Sequence, residues 1–158
     1  MILNRTDMKG EIANPLAALV AVVAVNAVVF GLGLARTNAY PDVWIEPPGW
    51  IVGLVWVLIF PMWGLARWHA LRAGREGRRL AAFIVFMMLW SLAYPALTAG
   101  FNLYKCAAAN AISFLIVGFA YLRARSVSAT ASWWIAPSLV WVAFANILTI
   151  AKIVSLDS

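Results

Sequence analysis

Five apolar runs alternate with short polar segments along the chain. They cover residues 15–35, 49–68, 80–99, 106–122 and 133–153. A helix rises 1.5 Å per residue, so about 20 residues cross a hydrocarbon core of roughly 30 Å. Each run except the fourth reaches about that length, and the fourth needs little from its flanks. The pattern predicts five membrane-spanning helices. The stretch before the first run mixes Arg5, Asp7, Lys9 and Glu11 and reads as an interfacial tail. The first run is too long for the apolar part of a signal peptide and is expected to stay as an uncleaved span.

The polar segments carry turn and charge signals. Segment 36–48 holds Asn38, Pro41, Asp42, Pro47 and Pro48, and Pro48 directly precedes the second span, where a missing N–H costs nothing. The second connection is expected to be a basic loop, with Arg72, Arg75, Arg78 and Arg79 around Gly74 and Gly77. Pro95 interrupts the third span. Segment 100–105 allows only a tight turn, and segment 123–132 reads as a Ser/Thr/Arg loop.

Composition places these helices in lipid. Hydrophobic residues make up 65% of the 158 and charged ones 11%, against roughly 25% charged in soluble domains. A water-soluble domain of this size has too little interior for so much apolar surface. The fold class is therefore an all-α integral membrane protein, a five-transmembrane-helix bundle forming one membrane domain over 1–158. The net charge of +6 resides in short connections, where it faces anionic headgroups; no nucleic acid partner is called for. With five spans, Arg5, Lys9, Arg67, Arg72, Arg75, Arg78, Arg79, Arg123 and Arg125 share one side, while Arg36, Lys105 and Lys152 lie on the other. The positive-inside rule then puts the N-terminus in the cytoplasm of a bacterial inner membrane.

No ionisable residue lies well inside a span, which argues against a proton-coupled carrier, a pump or a retinal protein. His69 stands alone at the end of the second span and Cys106 at the start of the fourth, neither with a metal-ligating neighbour in sequence. The polar residues within spans are neutral: Asn26, Ser91, Asn110, Ser113, Ser138, Asn146 and Thr149. Interhelical hydrogen bonding accounts for most of them. Asn26, Asn110 and Asn146 could also line a cavity, because an amide both donates and accepts.

Aromatic side chains form stripes. Gly53, Trp56, Phe60 and Trp63 recur at helical spacing on one face of the second span, and Trp134 and Trp141 share a face of the fifth. Trp50, Trp68, Trp133 and Trp134 lie near span ends, where an interfacial belt explains them. Trp56 and Trp141 lie near mid-span, where an indole N–H has no water to satisfy it. A broad apolar face with one fixed donor suits a flat aromatic ligand, and packing is the alternative.

The run from Pro47 and Pro48 through Gly49, Trp50, Gly53 and Trp56 to Phe60 resembles the signature of the translocator protein family. Its bacterial members are the tryptophan-rich sensory proteins, and its animal members the peripheral-type benzodiazepine receptors. The stretch Pro137, Ser138, Trp141, Ala145, Asn146 is similar to the family's fifth-helix pattern, so the resemblance covers nearly the whole chain. It implies a five-helix bundle, commonly a homodimer, with a ligand cavity beneath the first loop. The ligands it implies are porphyrins and haem, sterols, and benzodiazepine-like drugs. Trp56 and Trp141 match the tryptophans facing each other across that cavity, Phe60 the aromatic residue one turn below, and Ala145 the small residue that leaves room.

Two departures stand out. Trp44 stands three residues before Pro47 where the family places its Trp two before, and the third-span Asn is replaced by Trp90 or Ser91 in the run ending Tyr94-Pro95. The expected ligand-binding set is Trp56, Phe60, Trp141, Ala145, Trp90, Ser91, Tyr94 and Asn146, with Arg36 as a cation for a propionate. No catalytic residues, metal or obligatory cofactor are expected, and bound porphyrin or haem is the implied guest. The leading reading is a membrane-embedded tetrapyrrole binding and sensing protein. Light- or oxygen-dependent porphyrin breakdown and passive transport of tetrapyrrole or lipid are the alternatives. Val117, Tyr121 and Arg123 also fit a loose sterol-contact pattern.

Overall fold

The computed structural model describes residues 2–34 and 40–156. A short 3₁₀ turn, Ile2–Asn4, precedes five helices: α1 (Met8–Gly31), α2 (Gly49–Leu71), α3 (Gly74–Leu97), α4 (Leu103–Val127) and α5 (Ala129–Val154). All five are long and apolar enough to span a membrane. The chain is an integral, multi-pass all-α membrane protein.

The helices outrun the apolar spans, and polar side chains cap the starts of α1, α4 and α5. Asp7 accepts from the Gly10 amide at 3.1 Å and starts α1 ahead of the first apolar residue. The basic second connection is mostly helix: α2 runs to Leu71, and α3 begins at Gly74, whose φ of 69° turns the chain. Glu76 sits in the first turn of α3 and pairs with Arg79 at 2.7 Å, which suits the positive helix start. The expected fourth loop contracts to Ser128 alone. Its amide donates to Ala124 O at the end of α4, and its hydroxyl accepts from the Ala131 amide at the start of α5. Arg125 falls in the last turn of α4, complementing the helix dipole there.

α1, α2, α3 and α5 each contain a proline, at Pro15, Pro61, Pro95 and Pro137. Such breaks are tolerated in spans where neighbours re-satisfy the freed carbonyls.

Around the bundle the order is α1–α2–α5–α4–α3, with α3 touching α1 only lightly and α2 also packing on α3. The α1–α2 crossing is close. A Cβ on Gly64 would lie 2.6 Å from Pro15 Cα and 2.7 Å from the Asn14 carbonyl, so only glycine fits. A Cβ on Gly49 or Gly53, by contrast, would meet nothing within 4 Å. The core centres on Trp63, Phe60, Ile84, Met87 and Ile135. Only 22–28% of each span's apolar window is buried, so most of the apolar surface faces outward, as lipid requires.

Candidate functional site

Two contacts fix how α2 and α5 lie together. Glu46, just before α2, pairs with Lys152 near the end of α5 at 2.6 Å, and Trp63 Nε1 donates to Ser138 Oγ at 2.9 Å. The helices therefore run antiparallel. By helical rise, Trp56 falls about level with Ala145, and Trp141 about level with Phe60. These four sequence-predicted residues occupy adjacent helices at one depth, in the half of the bundle nearer the first loop.

Their surroundings differ. Phe60 is 1% exposed and packs its ring 5.1 Å from Trp63. Trp56 is half-buried, with its ring centroid 6.2 Å from Phe60 and 6.0 Å from Trp63. Trp141 is half-buried against Phe144 at 5.6 Å. Among the described residues the Trp56 and Trp141 rings do not touch each other, and Gly53, one turn above Trp56, borders open space.

The indole N–H groups separate the mid-span tryptophans into two classes. Trp63 donates to Ser138, and Trp90 donates to Ser113 Oγ at 2.9 Å. Trp56 and Trp141 donate to nothing among the described residues.

The third-helix candidates turn toward α4. Besides the Trp90–Ser113 bond, Tyr94 OH donates to Asn110 Oδ1 at 2.6 Å, and Asn110 Nδ2 donates to Thr149 Oγ1 of α5 at 2.7 Å. Asn146 Nδ2 donates to Asn110 O at 3.2 Å and Val142 O at 2.8 Å. Trp90, Tyr94 and Asn146 thus have their polar atoms engaged in an α3–α4–α5 seam. Ser91 and Asn26 are half-buried, with no side-chain hydrogen bond among the described residues. Arg36 lies outside the described residues.

The first loop is tied down above this region. Tyr40 OH donates to Phe101 O and lies 3.8 Å from Cys106 Sγ, while the Glu46–Lys152 pair anchors the loop's other end. Trp44 is 97% exposed, a position suited to the membrane interface. The loose sterol pattern is split: Val117 is buried in the core, and Arg123 pairs with Glu76 at 3.2 Å. Among the described residues, no three His, Cys, Asp or Glu side chains assemble as a metal site.

A second region went unnoticed in the sequence. A cavity of about 350 Å³ lies where α1, α2 and α3 meet, and of the eight predicted residues only Phe60 lines it. At its edge is Arg67, which reads in sequence as an orientation charge. The signal was available, since Arg67 stands seven, four and three residues after Phe60, Trp63 and Gly64 on the inward face of α2.

The sequence profile of the TspO/MBR family matches residues 16–154, most of the chain. No curated protein sequence matches it.

Proposed function

The chain belongs to the TspO/MBR family, and from that premise we propose that it binds and senses flat hydrophobic ligands of the tetrapyrrole class beneath its first loop. The observation that carries this reading is the pair of unpartnered indole N–H groups. Trp63 and Trp90 have serine partners, whereas the half-buried Trp56 and Trp141 donate to nothing among the described residues. Both Nε1 atoms are accessible rather than buried, so an acceptor on a bound ligand can reach them. A macrocycle laid against the two rings gains apolar contact and offers carboxylate or ring-nitrogen acceptors to both donors. Ala145 leaves room beside it, and open space at Gly53 continues the path toward the loop.

Titration with protoporphyrin, followed by tryptophan quenching, tests this. Replacing Trp56→Phe and Trp141→Phe together raises the dissociation constant about ten-fold, since each substitution keeps an aromatic ring but removes an N–H donor whose hydrogen bond contributes about 0.5–1.5 kcal/mol. Unchanged affinity in the double variant refutes the pocket.

A second reading, porphyrin breakdown under light with dioxygen as the oxidant, draws on the Trp56 and Trp63 rings, 6.0 Å apart, as redox-active neighbours of the excited macrocycle. Porphyrin absorbance under illumination, with the double variant as control, separates turnover from binding.

We also place the basic end in the cytoplasm of a bacterial inner membrane, since Arg5, Lys9, Arg72, Arg75 and Arg125 collect there. Homodimer assembly, implied by the family resemblance, is checked by light scattering in detergent.

A further inference from the structure

Among the described residues the half-buried Arg67 guanidinium is a cation without a counter-ion. Its Nη1 donates to Leu3 O at 2.6 Å and to Asn14 Oδ1, and its Nη2 donates to Asn4 Oδ1 at 2.9 Å. All three acceptors are neutral. Among the described residues no carboxylate pairs with it, and its Nε–H is buried with no partner at all. Guanidinium carries five N–H donors, so two remain unused. Arg67 is half-buried, with its Nε fully buried. A partly desolvated charge with neither counter-ion nor full hydrogen bonding is costly, and an anion relieves both deficits.

The space beside Arg67 says what kind of anion. The cavity of about 350 Å³ runs from Arg67 and Asn14 past Ala17, Ala21 and Phe60 to Leu92. That volume is at the small end of the roughly 300–1,000 Å³ of ligand sites, and beyond Arg67, Asn4 and Asn14 its walls are apolar. It is also open sideways. Val85 and Leu89 line it and are 36% and 60% exposed on the lipid-facing side of α3, and α1 and α3 are the most lightly packed neighbours in the bundle. A ligand can enter from the bilayer between them. One charge, one narrow apolar channel and lateral access from lipid fit a single-chain amphiphile better than a two-chain phospholipid or a macrocycle.

We propose that this cavity binds a fatty-acid anion, its carboxylate on Arg67 and its chain between α1 and α3. The carboxylate meets the unused Arg67 donors, a pairing for which the planar fork is suited. The small side chains Ala17, Ala18 and Ala21 make room for the chain on α1. Trp56 and Trp141 do not line this cavity, so the proposal stands independently of the tetrapyrrole pocket.

The test uses the full-length protein in phosphatidylcholine nanodiscs, with palmitate ¹³C-labelled at the carboxyl as probe. Palmitate gives a distinct bound carboxyl resonance, and hexadecanol, with the same chain and no charge, competes about ten-fold less well or worse. Arg67→Gln weakens palmitate by about ten-fold or more, and Arg67→Lys by less. Ala21→Leu, which leaves the charge and fills the channel, also weakens it. Should Arg67→Gln fail to fold, the hexadecanol comparison and Ala21→Leu still decide. Trp56→Phe with Trp141→Phe leaves palmitate binding unchanged, which separates this site from the tetrapyrrole pocket. Equal competition by hexadecanol, or unchanged binding in Ala21→Leu, overturns the proposal. So does displacement of palmitate by phosphatidylglycerol at equal concentration, which assigns Arg67 to a lipid phosphate, or displacement by protoporphyrin, which merges the two sites.

Discussion

The α4–α5 interface and the α1–α3 seam are both built from helices apolar enough to span a membrane, yet one is closed and the other open. Between α4 and α5 the contact is the most extensive in the bundle, with Ala120, Ala124, Ala131 and Ile135 completely buried and Asn110, Asn146 and Thr149 bonded across it. Between α1 and α3 the helices barely meet, and α2 holds α1 in place through the Gly64 crossing. In lipid there is no hydrophobic drive to close a gap, so close packing and interhelical hydrogen bonds decide which seams shut. Where alanines and amides face one another the seam closes. Where alanines of α1 face Met88 and Leu92 without any polar bond, a cavity remains.

The most damaging way to break this contrast is at the crossing that supports the open side. Gly64→Val forces a side chain into the α1 backbone and is expected to abolish stable folding, read as loss of a monodisperse species and of the thermal transition in detergent. The next test places the same change on both sides. Ala120→Leu, at a position with no exposure, overpacks the closed side and costs about 1–3 kcal/mol. Ala21→Leu enters the cavity and stays within about 0.5 kcal/mol of the wild type. Equal losses at the two positions would erase the distinction between the seams. On the closed side alone, Tyr94→Phe and Thr149→Val each remove one bond to Asn110 and cost about 0.6 kcal/mol apiece, by double-mutant cycle.

The smallest effect concerns the start of α1. The Arg5 side chain and the Gly10 amide hold the Asp7 carboxyl below the ordinary carboxylate range. A depressed carboxyl contributes stability above its unfolded pKa of about 3.9 and loses it as pH falls through the lower, folded value. Amide exchange at Gly10, compared with Asp7→Asn, should therefore rise only below about pH 4.

The fold was legible in the sequence because span length and charge asymmetry are properties of single segments. Five runs near 20 residues, separated by turn formers, leave few alternatives. Helix ends were less legible. Asp7 and Ser128 extend helices into polar sequence through capping bonds, and Glu76 through an ion pair in the first turn of α3, none of which hydropathy registers.

The site was readable in part. Spacing put Trp56 and Phe60 on one face, and the family resemblance paired them with Trp141 and Ala145. Which tryptophans have hydrogen-bond partners depends on serines 75 and 23 residues away, at Ser138 for Trp63 and Ser113 for Trp90. No local pattern carries that information. Arg67 was missed because charge near a span end reads first as topology, although its register with Phe60, Trp63 and Gly64 points inward.

The central claim is that Trp56 and Trp141 hold the ligand with donors that the protein leaves free. Indole ¹⁵N–¹H spectra of the protein labelled at tryptophan, recorded before and after protoporphyrin is added, test it most directly. The Nε1–H signals of Trp56 and Trp141 should move and gain protection from exchange, while those of Trp63 and Trp90 stay in place. Movement confined to Trp63 and Trp90, or to the exposed Trp44 and Trp50, would contradict it.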